Sequence, residues 1–168
     1  MIGGRIRIPV LVAGVLILHL TVLSRFHPIG VRPDVLLLLA ICAGLAGGAE
    51  RGAAIGFTIG LLGDLYLETP LGLSALVFAI VGFCVGLIQG GILRAAWWIG
   101  PATAFAASAA GVIGFAVAGA MVGLGYLVEP RVALIAAVVA TVNALLALPM
   151  IRAATWALTD GRPERSYV

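Results

Sequence analysis

The sequence predicts an all-α integral membrane protein folded as a compact bundle of about six transmembrane helices. Three observations predict it. Of 168 residues, 62% are hydrophobic and 10% are charged, whereas soluble domains carry roughly a quarter charged residues. The mean hydropathy is +1.20. The apolar residues also fall into blocks near the length, about 20 helical residues, that crosses ~30 Å of hydrocarbon. These blocks leave no room for a soluble domain, so residues 1–168 read as a single membrane domain ending in a cytoplasmic tail over 153–168.

The first span covers about 8–24. Arg5 and Arg7 precede its apolar run, as in a secretory signal, but "HLTVLSRFHP" offers no small-x-small cleavage site, so the run is expected to stay attached. Pro9 suits a first helical turn. "FHPIGVRPD" then breaks the chain, and the second and third segments follow at about 34–48 and 52–67. Read as one helix they would run roughly 50 Å, with Glu50 and Arg51 at mid-length. A break near Gly47, Gly48, Glu50 and Arg51 is the better reading, giving two short spans or a re-entrant hairpin. "ETP" ends the third segment, and the fourth covers about 71–92. The fifth, about 97–126, is longer than one upright span requires; either it tilts strongly or its Gly-rich end unwinds. "EPR" separates it from the sixth, about 131–152.

Arginine placement sets the orientation. All ten basic residues are Arg. Six spans with the N-terminus in the cytoplasm put Arg5, Arg7, Arg51, Arg94, Arg152, Arg162 and Arg165 inside, and only Arg25, Arg32 and Arg131 outside. The expected location is therefore a bacterial cytoplasmic (inner) membrane, multi-pass, with both termini cytoplasmic. The arginines form no polybasic run, which argues against nucleic acid as a partner and leaves membrane lipid. Cys42 and Cys84 each lie alone in an apolar block and read as small buried hydrophobes.

Glycines recur every fourth residue: Gly52, Gly56 and Gly60 in the third segment, and Gly82, Gly86 and Gly90 in the fourth. Lipid gives helices no hydrophobic reason to associate, so close backbone approach along small residues must hold a bundle together. These rows are expected packing faces.

Charge gathers at the outer end. Asp64 and Glu68 lie one turn apart on one helical face in "GLLGDLYLETPLG". Arg32 and Asp34 begin the second segment on the same side, so Arg32 stands as an ion-pair partner for Asp64 and Glu68. A helix N-terminus is the other candidate partner for Asp64. Asn143 and Thr141 lie near mid-depth in the sixth segment, where an amide is expected to hydrogen-bond to a neighbouring helix. His19 reads as a hydrogen-bonded interior group, and Gln89 and Ser108 as helix contacts. Ser74 in "GLSAL" lacks the second glycine of a nucleophile elbow, and no Walker loop, zinc motif or dinucleotide fingerprint is present. No catalytic, cofactor-binding or metal-ligating residue is assigned, and an enzyme is not expected.

Residues 32–83 resemble the rod shape-determining protein MreD family. The likeness rests on Pro33-Asp34 opening the second segment, the Gly-rich turn after it, Gly60 and Asp64 in "GLLGD", and Pro70, Leu71 and Gly72 opening the fourth. Those residues cover about a third of the chain; the rest is similar in length and span count. The resemblance implies a non-enzymatic membrane subunit that binds the single-span protein MreC. Through it, the subunit would reach an MreB-like filament, a RodA-like glycosyltransferase and a penicillin-binding transpeptidase, supporting lateral peptidoglycan synthesis and cell shape. It makes Pro33, Asp34, Gly60, Asp64, Pro70 and Gly72 the signature of a structural corner. The short "GGAERG" turn is less basic than the family suggests. The competing reading is a substrate-capturing S-component of an energy-coupling-factor transporter, whose architecture of about six short helices is similar. Against it, the first segment lacks an Ala-x-x-x-Ala docking face, because Ala13 is followed four positions later by Ile17.

Overall fold

The computed structural model describes residues 3–19, 21, 34–66, 70–95, 98–123 and 131–158. Among them the regular elements are six α-helices and no strand: α1 (Gly3–Leu18), α2 (Val35–Gly47), α3 (Ala49–Asp64), α4 (Leu73–Ala95), α5 (Ile99–Met121) and α6 (Arg131–Leu158). Arg32, Pro33 and Glu68 lie outside the described residues.

The helix α2 is the centre of the molecule. "VLLLLAICAGLAG" is apolar on every side, and a helix of that kind must be enclosed by protein or lipid. Here protein encloses it, for every residue from Val35 to Leu45 is buried. The other five helices all touch it. At 13 residues it is about 20 Å long, short of a bilayer's hydrocarbon thickness.

A single residue, Gly48, separates α2 from α3. Its φ of +86° is a conformation that costs other L-residues strain, and it lets the chain reverse between helices in one step. Its own N–H still donates to Gly44 O at 2.9 Å, and its carbonyl accepts from Gly52 N at 2.9 Å. The break therefore falls inside the expected turn, and both short helices keep continuous backbone bonding up to it.

The α3–α4 pair is the most intimate in the molecule, because glycines let the two backbones meet. A Cβ added to Gly52 would overlap the Gly82 carbonyl and lie 2.7 Å from Gly44 Cα. On Gly60 it would lie 2.5 Å from Ala75 Cα. Gly56 faces the Phe78 carbonyl, and Gly86 faces the start of α3 at Ala49. Gly44 brings α2 to the same contact, 3.1 Å from Gly86 N by the same measure.

Further helices close around this unit. Gly111 of α5 admits Leu37 of α2, whose Cδ2 would lie 2.8 Å from a Cβ there. The helix α5 ends at Met121 in a turn through Gly123, and residues 124–126 of the expected fifth segment lie outside the described residues. By contrast α6 runs six residues past its expected end, through Pro149 to Leu158, and takes in the first part of the expected tail. The first helix begins at Gly3, which places Pro9 in its second turn instead of its first. By length and composition, α5 and α6 are long and apolar enough to cross a membrane.

The surface is greasy. Leu65, Leu71, Leu87, Ile88, Met121 and Leu145 are each more than half exposed. Between α4 and α5 lies an apolar groove of about 530 Å³, with Val77, Cys84 and Ile88 on one wall and Thr103, Ala107 and Gly114 on the other. Cys84 is exposed in this groove, which corrects its reading as a buried hydrophobe. Its position on α4 turns it away from α3 and toward the wide α4–α5 separation. Cys42, on the central helix, is buried.

Candidate functional site

The polar residues that the apolar pattern left unexplained collect at three places. The first is the corner between α3 and α4. Asp64 is the last residue of α3 and is 2% exposed. Tyr66 N turns back to Gly63 O at 2.9 Å, and after the corner Leu73 N reaches Pro70 O at 3.2 Å. Gly72 adopts φ +98°, so the chain can bend sharply into α4. The first N–H groups of a helix have no intrahelical acceptor. Asp64 supplies one across the corner: Oδ2 accepts from Gly72 N at 2.8 Å and from Ser74 N at 3.2 Å, with Oδ1 3.3 Å from Ser74 N. A carboxylate at a helix N-terminus also meets the positive end of the macrodipole. Of the two partners open to Asp64 in the sequence, the structure records the helix N-terminus.

The second place is the start of α2. Asp34 caps its own helix, with Oδ1 accepting from Leu37 N at 3.0 Å. Its main-chain carbonyl accepts from Asn143 Nδ2 of α6 at 3.0 Å, and the same amide donates to Ser108 Oγ of α5 at 2.9 Å. Ser108 and Asn143 are fully buried. One amide therefore joins α2, α5 and α6, as expected of an Asn inside an apolar helix. Asn143 lies 12 residues into α6, about 18 Å from that helix's first residue, so the α2 terminus meets α6 near its middle. Of the His19 ring, Nδ1 is buried and has no hydrogen-bond partner among the described residues. Asp34, Ser108 and Asn143 each stood out in the sequence, but they are 35 and 109 positions apart and no pattern joined them.

The third place is the opposite end of the bundle. Arg51, just after the α2–α3 break, donates to Leu158 O at 2.9 Å and so caps the C-terminus of α6. Arg7 of α1 donates to Trp156 O at 3.4 Å and stacks over the Trp156 ring, 5.1 Å from its centroid. Cations here meet the negative end of the α6 dipole.

Of the residues singled out in the sequence, the structure brings Asp64 and Gly72 into one hydrogen-bonded corner, with Pro70 in its turn. Gly60 packs directly below, against Ala75. Asp34 belongs instead to the junction with α5 and α6. At both places the hydrogen bonds recorded for the carboxylates come from backbone N–H groups that begin a helix. Among the described residues no group of three His, Cys, Asp or Glu side chains is placed to hold a metal ion.

Comparison with known proteins gives one match. The family model described as rod shape-determining protein MreD aligns with residues 4–152. No curated protein and no solved structure matches.

Proposed function

We propose, from the premise that the chain belongs to the rod shape-determining protein MreD family, that it is a non-enzymatic scaffold subunit of the bacterial cell-elongation (rod) complex. It sits in the cytoplasmic membrane, supports lateral peptidoglycan synthesis and cell shape, and binds an MreC-like single-span protein. Through that partner it reaches an MreB-like filament, a RodA-like glycosyltransferase and a penicillin-binding transpeptidase.

The observation that carries this reading is the family match over nearly the whole chain. The physical character of the molecule supports it. Large apolar side chains face outward on every peripheral helix, as in a protein whose solvent is lipid. The recorded hydrogen bonds of the buried Asp64 carboxylate and Asn143 amide join one helix to another. On this reading Asp34, Gly60, Asp64, Pro70 and Gly72, with Pro33, are the residues that keep the α2–α3–α4 unit in shape for its partner. Gly52, Gly56, Gly82, Gly86 and Gly90 are its packing faces.

The test is copurification of the tagged full-length chain from native membranes in mild detergent. Recovery of a single-span companion with a coiled-coil segment is the expected result. Recovery of a pair of ATPases, together with vitamin or metal uptake that depends on this chain, would sink the scaffold and return the transporter reading.

A further inference from the structure

The arginines at the end of the bundle where α6 finishes exceed what that end needs. Arg7 and Arg51 donate to the Trp156 and Leu158 carbonyls, and Arg152 is exposed one turn before Trp156 on the same helix. A helix C-terminus carries only about half a negative charge. Of the described carboxylates Glu50 alone lies at this end, exposed in the first turn of α3, whereas Asp34 and Asp64 hold helix starts elsewhere. Among the described residues, more than one positive charge is therefore left over.

Two of these cations converge on one ring. Residues four apart on a helix keep their Cβ atoms about 5–6 Å from each other, so Arg152 and Trp156 share a face of α6. Arg7 reaches the same ring from α1, its Cζ 5.1 Å from the centroid. Its recorded hydrogen bond uses Nη1, which leaves Nε and Nη2 of the guanidinium fork as donors. Trp156 is 53% exposed, and an indole so placed favours the level of lipid headgroups. The same face of α6 continues as Leu148 and Leu145, both exposed. Leu145 to Trp156 is 11 residues, about 16 Å of helix, close to the depth of one leaflet, half of ~30 Å of hydrocarbon. A pair of cations at headgroup level, above an apolar strip one leaflet deep, has the outline of a phospholipid.

We propose that Arg7, Arg152 and Trp156 bind the phosphate of one anionic phospholipid, whose acyl chain lies along Leu148 and Leu145. The site rests on the membrane placement proposed above. Arg7 is half-buried and already held by the ring and the Trp156 carbonyl, so it presents its fork to a phosphate with little further loss of freedom. Arg152 closes the site from the exposed side. An anionic headgroup balances the surplus charge, whereas the amine of a zwitterionic one meets the two guanidiniums as a like charge. A lipid seated there bridges α1 and α6, the two helices that supply its ligands.

Native mass spectrometry of the full-length chain from mild detergent, titrated with phosphatidylglycerol, phosphatidylcholine or inorganic phosphate, tests this. One phosphatidylglycerol is expected to bind about tenfold more tightly than phosphatidylcholine, and inorganic phosphate at equal concentration should not displace it. Arg152→Gln should weaken that binding about tenfold, while Arg131→Gln, exposed at the other end of α6, should leave it unchanged. Because Arg152 is exposed, its variant reads the site even if Arg7→Gln loosens α1. Equal retention of the two lipids, or equal losses in the Arg152 and Arg131 variants, overturns the proposal. Displacement by inorganic phosphate overturns it as well, since the site would then read a free anion. So does binding that appears only after Asp160→Asn with Glu164→Gln, because the acidic residues that follow α6 in the sequence would be the occupants. The membrane placement fails separately, by recovery of the chain in the soluble fraction of lysed cells, and the scaffold reading has its own copurification test.

Discussion

At the scale of the residue, the carboxylate of Asp64 repays a close look. A charged group normally avoids an apolar bundle, and this one is buried because the first N–H groups of α4 are buried with it and need an acceptor. Hydrogen bonds to an ionised acceptor contribute about 1.5–3 kcal/mol, and losing one also strands its donor. Asp64→Ala should therefore lower unfolding stability in detergent by about 2–3 kcal/mol, read by tryptophan fluorescence during thermal or denaturant unfolding. Asp64→Asn keeps one acceptor oxygen, enough for Gly72 N, and should lose about half as much. Equal losses in the two variants would mean that charge alone matters at this corner; no loss in either would mean that Ser74 and Gly72 do not depend on it. The sequence made Asp64 conspicuous through its apolar neighbours Leu62 and Leu65. It could not choose between an arginine and a helix terminus, because that choice depends on where the chain returns after Pro70.

At the scale of the element, the rows of small residues explain how the short helices approach backbone to backbone, the contact that would hold a bundle together in lipid. Gly52 and Gly82 meet backbone to backbone, so an added methyl would strike atoms that cannot rotate aside. Gly52→Ala or Gly82→Ala should cost about 3 kcal/mol by overpacking, with both effects lost from the sum when α3 and α4 have already separated. Two glycines provide the contrast. A Cβ on Gly14 would meet nothing within 4 Å, and one on Gly114 would touch only Val77 Cγ1 at 3.8 Å. Alanine there should be neutral or stabilising by up to about 1 kcal/mol through helix propensity. The same unfolding assay across the four variants checks the pattern, and uniform losses would show that glycine matters here for flexibility instead of approach. The four-residue spacing made these rows visible in the sequence, but not Gly44, which completes the contact from α2 inside the less regular "AGLAGG". Nor did spacing reveal α2 as the central helix. The signal was present as an apolar run without a polar face, but a lipid-facing span carries the same signal, and only the packing of five neighbours tells them apart.

At the scale of the whole molecule, the polar groups sort to two levels and so define a direction. Arg7, Arg51 and the C-terminus of α6 gather at one end, while Asp64, Gly72 and the start of α4 form the other end of the α3–α4 pair. If the chain spans the membrane as proposed, the arginine excess would assign the first end to the cytoplasm. On that proposal the six helices among the described residues would return the chain to the side on which it began, and short elements such as α2 and α3 need not each span the bilayer for that count to hold. This gives an accessibility prediction that uses only exposed positions. In a Cys84→Ala background, where Cys42 stays buried, single cysteines are placed at Glu50, Tyr66 or Leu71, all exposed. A membrane-impermeant thiol reagent on intact cells should label Tyr66→Cys and Leu71→Cys and leave Glu50→Cys untouched until the membrane is opened. Labelling of Glu50→Cys from outside, with Tyr66→Cys protected, would invert the orientation. It would put the Asp64 corner on the cytoplasmic face, where an MreB-like filament could reach it directly and the proposed route through a single-span partner would no longer be required. Labelling of all three from outside would mean that the α2–α3 hairpin does not separate the two sides, and the count of spans would fall with it.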